Sequence, residues 1–138
     1  MERNELKIFI AMSRTLNEVN RQTNEICRKY NLTTGQFAVL EALFHKGDLS
    51  VGEIQEYILS TTGNMPVLIR NLKDANLIDT YKSKKDKRRT MVSLTDKGLD
   101  VISSAFPENK EVIEAYFSII SKKDQIKLLE ILSDFKKK

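Results

Sequence analysis

The feature that most constrains this fold is a long stretch, residues 5–30, that contains neither glycine nor proline. Its apolar residues recur mostly at the three- and four-residue spacing of one helical face. They are Leu6, Phe9, Ile10, Leu16, Val19, Ile26, Cys27 and Tyr30. The spacing predicts one helix, longer than the average globular helix of about 11–12 residues. A single helix of that length needs a second apolar surface to pack against.

The next part of the chain carries the signals of three short helices. Residues 33–36 (TTGQ) and 50–53 (SVGE) are capping boxes, in which two side chains satisfy the free N–H groups of a helix start. Gly47 lies where the residue after the first of these helices would be. A third helix is predicted after residues 60–62 and ends near Asn76, a residue that tolerates the left-handed conformation.

A short β-hairpin is predicted to interrupt the helices, because residues 77–83 and 90–94 are rich in β-branched and aromatic side chains. The polar loop 84–89 joins these two strands. Residues 82–89 (KSKKDKRR) contain six bases and one acid, a net charge of +5 within a chain whose net charge is +4. A charge run standing alone would be interpreted as a solvated loop. This one follows directly after the short helices, and its concentrated positive charge indicates a polyanionic partner.

The C-terminal part returns to helical spacing. Residues 95–97 (TDK) predict the start of a helix that extends to about Phe106, and Pro107 is expected to break or reset it. Further apolar stripes follow on both sides of a helix start at residues 121–124 (SKKD). With only five glycines and two prolines in 138 residues, the chain is expected to be mostly helical.

Composition excludes several classes of function. The single cysteine, Cys27, cannot form an internal disulfide, and one histidine cannot supply a histidine-based metal cluster. The N-terminus has no signal-peptide pattern, and no apolar run approaches the roughly 18 residues of a membrane helix, so a cytoplasmic protein without membrane contact is expected. We find no nucleophile–base pair and no glycine-rich phosphate loop, so neither an enzyme nor a bound cofactor or metal is expected.

Two short helices followed directly by a basic hairpin form a constellation that suits DNA. A helix fits the major groove, and bases on a loop tip neutralise phosphates and release counterions. A thin hairpin can also place an arginine in the narrow minor groove. The helix pair alone would be a weak signal, since many helical bundles contain one.

At this point the sequence resembles the MarR family of bacterial transcription regulators. The matching segments are residues 32–40 (LTTGQFAVL), 61–65 (TTGNM), 76–78 (NLI), 86–88 (DKR) and 92–98 (VSLTDKG), which occur in the family's order and spacing. The resemblance implies a mostly α fold with a small β-hairpin wing. Residues 32–98 would form the winged helix-turn-helix, and residues 1–30 and 107–138 would form dimerisation helices.

The resemblance also implies a function. Members are homodimers that bind palindromic operators in double-stranded DNA, and most are repressors that release DNA on binding a small aromatic or anionic effector or on cysteine oxidation. Two alternatives remain open: a winged-helix module for protein–protein contacts, and a redox-responsive regulator acting through Cys27. The second is disfavoured because Cys27 falls on the apolar stripe, where a buried thiol is inert.

The resemblance places the recognition helix around Thr61. Its expected DNA-contacting residues are Thr61, Thr62, Asn64, Met65 and Arg70. At least one of the first three is expected to cap the helix while another reaches DNA, and Arg70 is equally compatible with a phosphate contact and a plain surface position. Pro66 departs from the family pattern and predicts that the helix begins late.

In the wing, the resemblance assigns Arg88 to the minor groove and makes Asp86 the residue that orients it. The remaining bases are expected to bind phosphates: Lys84, Lys85, Lys87 and Arg89. Lys87 stands where arginine is frequent, which keeps the charge but loses the bidentate fork.

Overall fold

The computed structural model describes residues 3–58 and 64–136. Its helices are α1 (Asn4–Lys29), α2 (Thr34–Lys46), α3 (Val51–Ile58), α4 (Met65–Asp74), α5 (Asp96–Phe117) and α6 (Lys122–Ser133), followed by a 3-10 turn at Asp134–Lys136. Its strands are β1 (Leu49–Ser50), β2 (Ile78–Lys82) and β3 (Thr90–Leu94). The predicted fold class, mostly helical with a small β-hairpin wing, is confirmed.

Both predicted capping boxes are present. The Gln36 N–H donates to Thr33 Oγ1 at 3.1 Å and the Thr33 N–H donates to Gln36 Oε1 at 2.9 Å. Ser50 and Glu53 repeat this arrangement at 3.1 and 2.9 Å. Gly47 ends α2 at a φ of 78°, a left-handed value that favours glycine. Local sequence signals therefore place the starts of α2 and α3.

Helix α4 begins at Met65, with Pro66 in its first turn. Proline is tolerated there because the first N–H groups of a helix have no partner within it. The prediction of a late start is confirmed, although the side chain of the preceding Asn64 makes no capping hydrogen bond. Asn76 adopts a φ of 66° after the helix, as expected.

The sheet contains a strand that the sequence did not predict. Strand β3 lies in the centre of an antiparallel sheet, with β2 on one side and β1 on the other. Leu49 and Ser50 of β1 lie opposite Val92 and Met91. A strand of two residues is too short to show the alternating apolar and polar pattern of a β-strand, so β1 is recognised only by its pairing with β3. This pairing attaches the wing to the segment that starts α3.

The core joins the wing to the helices. Fully buried side chains reach it from α1, α2, α3, α4, α5 and both long strands, and they include Cys27, Leu40, Ile54, Leu72, Ile102, Ile78 and Val92. Gly98 in the first turn of α5 lies against the backbone of Leu77, where an added Cβ would overlap the Leu77 carbonyl oxygen. Helix α4 and the hairpin therefore share one packed core.

The prediction that Pro107 breaks the helix is wrong, because α5 continues through it to Phe117. Proline inside a helix removes one hydrogen bond and typically costs about 3 kcal/mol. Packing on both sides of the proline offsets this cost, since Ala105 and Asn109 are buried. Thr23 of α1 also donates its hydroxyl to Asn109 Oδ1 at 2.8 Å. Residue 107 therefore lies within a helix that continues from the winged region into the C-terminal segment.

The terminal helices expose many apolar side chains. Cys27 is the only buried residue among the described residues of α1, and α6 contains none. The exposed set comprises Leu6, Ile8, Phe9, Ile10, Met12 and Leu16 in α1, and Ile119, Ile126, Leu128, Leu129, Ile131 and Phe135 near the C-terminus. Among the described residues, none of the helices has the length and hydropathy needed to cross a membrane.

Candidate nucleic-acid interface

Helix α4 presents one buried face and one exposed face. Ile69 and Leu72 pack into the core, whereas Val67 and Arg70 lie on the opposite side of the helix. Arg70 is exposed, which is compatible with both roles predicted for it, a phosphate contact on DNA and a plain surface position. Val67 and Asn71 also lie on the exposed side. Val67 stands three positions before Arg70 and four before Asn71, and this spacing is the sequence signal that would have placed it on their face.

Two other predictions for this helix have different outcomes. Met65 is only 7% exposed and belongs to the core, so its side chain offers little surface to DNA and its burial disfavours the predicted contact. The first turn of α4 directs this side chain inward, in register with Ile69 and Leu72. Asn64 is exposed, and its contact with DNA stays a prediction. Thr61 and Thr62 lie outside the described residues.

The wing tip is a loop closed by its own hydrogen bonds. The Ser83 N–H donates to the Arg89 carbonyl at 3.0 Å, and the Arg89 N–H donates to the Asp86 carbonyl at 2.9 Å. The Asp86 N–H in turn donates to the Ser83 hydroxyl at 3.3 Å. These bonds give the basic tip a defined backbone conformation between β2 and β3.

Asp86 holds Arg88 through two side-chain bonds. Arg88 Nε donates to Asp86 Oδ1 at 3.1 Å, and Arg88 Nη2 donates to Asp86 Oδ2 at 3.3 Å. The Arg88 backbone N–H also donates to Asp86 Oδ1, and together these donors lower the pKa of the Asp86 carboxyl. The Arg88 side chain is nevertheless 91% exposed. The predicted pairing of these two residues is therefore present in the free protein.

Three lysines at the wing tip differ from Arg88 in this respect. Lys84, Lys85 and Lys87 are exposed, and the described part of the chain offers them neither an ion pair nor a side-chain hydrogen bond. Their ammonium groups are therefore available to an external anion, which agrees with their predicted contact with phosphates.

Arg89 differs from the other wing bases. Its Nη2 donates to Glu53 Oε1 at 2.8 Å and to the Ser50 hydroxyl at 3.0 Å. Glu53 also accepts from the Ser50 N–H, and that bond is the main cause of the lowered pKa of the Glu53 carboxyl. Sequence reasoning identified Glu53 as a capping residue but missed its contact with Arg89. No local pattern links residues that lie 36 positions apart.

The start of α3, helix α4 and the wing border one notch of about 460 Å³. It is lined by the start of α3 (Ser50, Val51 and Gly52), by Pro66 and Ile69 of α4, and by the wing residues Arg88, Arg89 and Thr90. The first turn of α4 and the base of the wing therefore lie next to each other on either side of this notch.

Cys27 lies outside this surface region. Its side chain is fully buried at the end of α1, and burial raises the pKa of its thiol to about 11. The prediction that Cys27 is buried is confirmed. A protonated thiol inside the core reacts slowly with oxidants, because the thiolate is the reactive species.

Comparison with known proteins identifies relatives along the chain. The family model described as transcriptional regulator SarA/Rot matches residues 21–104. The HTH-type transcriptional regulator MhqR of Bacillus subtilis (strain 168) is 31% identical over 132 residues, which cover 96% of this chain and 91% of that protein. These matches span both the helix-turn-helix and the wing.

Two solved structures share the fold. AbsC, a MarR family transcriptional regulator from Streptomyces coelicolor, superposes with a TM-score of 0.89 at 15% identity, covering 98% of this chain and 93% of that one. BpsR of Bordetella bronchiseptica, whose DNA binding is regulated by 6-hydroxynicotinic acid, gives a TM-score of 0.83 at 18% identity, with 95% and 94% covered. At these identities, the likeness shows the fold alone.

Proposed function

This chain belongs to the MarR-like winged-helix family of transcriptional regulators that includes SarA and Rot, and from that premise we propose how it binds its operator. Two copies bind a palindromic site in double-stranded DNA. In each copy α4 enters the major groove, and Arg88 of the wing enters the adjacent minor groove. Asn64 and Arg70 contact DNA from α4, and Thr61 and Thr62 precede it. Lys84, Lys85 and Lys87 bind phosphates.

The observation that carries this proposal is the orientation of Arg88. Its guanidinium is 91% exposed at the tip of a hairpin, yet Asp86 already fixes its direction through two bonds. An arginine held this way loses little conformational freedom when it enters a groove. Its planar, weakly hydrated head suits a narrow A·T-rich minor groove, where negative potential is enhanced.

The exposed apolar faces support dimerisation through the terminal helices. A groove of about 870 Å³ lies between the end of α5 and α6, and its lining includes Ile113, Phe117, Leu128 and Leu129. Soluble monomers rarely leave such large apolar patches in water. A second copy with the same faces would cover them symmetrically, and this would set the spacing of the two half-sites.

We further propose that the protein is a repressor that releases DNA on binding a small aromatic or anionic effector. The support is its fold-level similarity to BpsR, whose DNA binding is regulated by 6-hydroxynicotinic acid. A screen of phenols and aromatic acids, measured by melting temperature and by DNA affinity, tests this part separately. The absence of any shift in either measurement would contradict it.

The test of DNA recognition compares three proteins by fluorescence anisotropy. The probe is a labelled duplex from the region upstream of the protein's own gene, with a scrambled duplex as reference. Arg88→Lys is expected to lose affinity despite its conserved charge, and to lose more on probes with an A·T-rich flank. Lys85→Ala is expected to weaken binding equally on all probes and to reduce the salt slope by about one unit.

Two outcomes would contradict this assignment. If the wild-type protein binds neither duplex, the chain acts on another partner, as a winged-helix module for protein contacts would. If Arg88→Lys binds like the wild-type protein while Lys85→Ala does not, Arg88 is only another phosphate contact.

A further inference from the structure

Arg89 lies at the junction between the wing tip and the body of the protein. Its backbone is fixed on both sides, since its N–H donates to Asp86 and its carbonyl accepts from Ser83. Its side chain extends away from the tip and contacts the first turn of α3 through Ser50 and Glu53. The wing is thereby connected by side chains to the helix-turn-helix.

The contact partner is unusual for a surface that binds DNA. The Glu53 carboxylate repels phosphates, and it pairs with Arg89, which lines the notch shared by α3, α4 and the wing. An exposed ion pair contributes little to stability, because water screens both charges. The Glu53 and Arg89 side chains are 47% and 48% exposed, so the ion pair adds little to stability. The capping box needs only an acceptor oxygen at residue 53, which a neutral glutamine would also supply, so neither role requires a negative charge at this place.

We propose that Arg89, Glu53 and Ser50 form a wing clamp that sets the position of the wing relative to α3 and α4. Arg89 is then a positioning residue, which acts on DNA affinity through Glu53 and not through phosphates. This inference rests on the proposed DNA binding. It replaces the prediction that Arg89 behaves like the neighbouring lysines.

The clamp predicts a change in operator affinity that is opposite in direction to the change expected from charge alone. Removing an acid near DNA should strengthen binding if only charge matters. If Glu53 holds the wing in place, Glu53→Gln should instead weaken operator binding, by about fivefold for a typical coupling between contacting residues. Glutamine preserves the capping box, because its amide oxygen can still accept from the Ser50 N–H, and it removes the negative charge that strengthens the bond from Arg89 to that same oxygen.

Glu56→Gln is the matched control. Glu56 lies on the same helix, is exposed and loses the same charge, but it is not part of the clamp. Both variants are titrated with the operator duplex by fluorescence anisotropy at several salt concentrations, after circular dichroism has verified the fold. Glu56→Gln is expected to bind as tightly as the wild-type protein or more tightly.

A second comparison separates positioning from phosphate binding. Lys87→Gln should reduce the salt slope by about one unit, whereas Arg89→Gln should lower affinity and leave the slope unchanged. The double variant Glu53→Gln/Arg89→Gln should bind like either single variant, because each change removes the same ion pair. An Arg89→Gln slope reduced by one unit, together with tighter binding by Glu53→Gln, would overturn the proposal.

Hydrogen exchange keeps the clamp testable without DNA. Wing amides in residues 83–90 should exchange several-fold faster in Glu53→Gln than in Glu56→Gln, because the hairpin loses its ion pair with α3. Equal exchange in the two variants would show that the clamp does not hold the wing. If the wild-type protein fails to bind the operator duplex, the proposed function fails, and the exchange result alone then decides whether the clamp exists.

Discussion

Gly98 offers a sharp test of how the recognition helix, the wing and α5 are packed together. A Cβ at this position would lie 3.0 Å from the carbonyl carbon of Leu77 and closer still to its oxygen, whereas ordinary contact begins at 3.4 Å. The obstacle is backbone, so no rotamer change can relieve it. The same Leu77 carbonyl also accepts the Thr95 N–H at 3.1 Å, which restricts its movement.

The expected effect of Gly98→Ala follows from two opposing terms. Overpacking of this kind typically costs about 1–3 kcal/mol, and contact with backbone favours the upper part of that range. Alanine returns up to about 1 kcal/mol, because it loses less conformational freedom than glycine in a helix. We expect a net loss of about 2 kcal/mol, which corresponds to a decrease in Tm of roughly 5–10 °C for a chain of this size.

Gly52→Ala is the control for this prediction. Gly52 lies in the first turn of α3, where the nearest atom to an added Cβ is Ser50 Oγ at 4.0 Å. Here only the conformational term remains, so the variant should be as stable as the wild-type protein or more stable by up to about 1 kcal/mol. Urea unfolding followed by circular dichroism, at one fixed protein concentration, measures both. Equal stability of the two variants would refute the packing argument.

Three further predictions concern other parts of the molecule. Because burial raises the pKa of Cys27 to about 11, iodoacetamide at pH 8 should alkylate the native protein far more slowly than the urea-unfolded protein; equal rates would contradict its burial. Stability linked to this thiol is present below its unfolded pKa and is lost as pH rises towards 11. Leu129 lies on the exposed apolar face of α6, so Leu129→Glu should shift the protein from dimer to monomer in light scattering. A stable wild-type monomer at micromolar concentration would refute the proposed dimer. Glu108 accepts from Lys29 Nζ at 2.8 Å and Tyr30 Oη at 2.7 Å, and these donors lower the pKa of its carboxyl. Its contribution is therefore present above the unfolded pKa and is lost as pH falls through the lowered value, so Glu108→Gln should flatten the acid limb of the stability profile.

Local signals predicted much of the architecture. The capping residues Thr33, Ser50 and Ser121 were placed correctly, because a cap depends on residues only three positions apart. The hairpin strands are equally local, whereas the resemblance to the MarR family supplied the pairing of Asp86 with Arg88. The wing tip could therefore be described in some detail from the order of its residues.

Non-local contacts decided what the patterns could not. Met65 was assigned to DNA because it stands in the first turn of the recognition helix, but the direction of that turn buries it against the core. Arg89 was grouped with the lysines because its contact with Glu53 joins segments far apart in the chain. In both cases the local sequence predicted the correct helix or hairpin, but it did not predict which distant residues the side chain contacts.

The sequence by itself determined where the helices start, where the hairpin turns and where positive charge is concentrated, because each depends on neighbouring residues and their spacing. Only the tertiary structure decided that α5 continues through Pro107, that β1 joins the sheet and that Arg89 contacts α3. These outcomes depend on which surfaces meet after the chain has collapsed. Burial of Ala105 and Asn109, and the bond from Thr23, favour a continuous helix over the local preference of proline to end one.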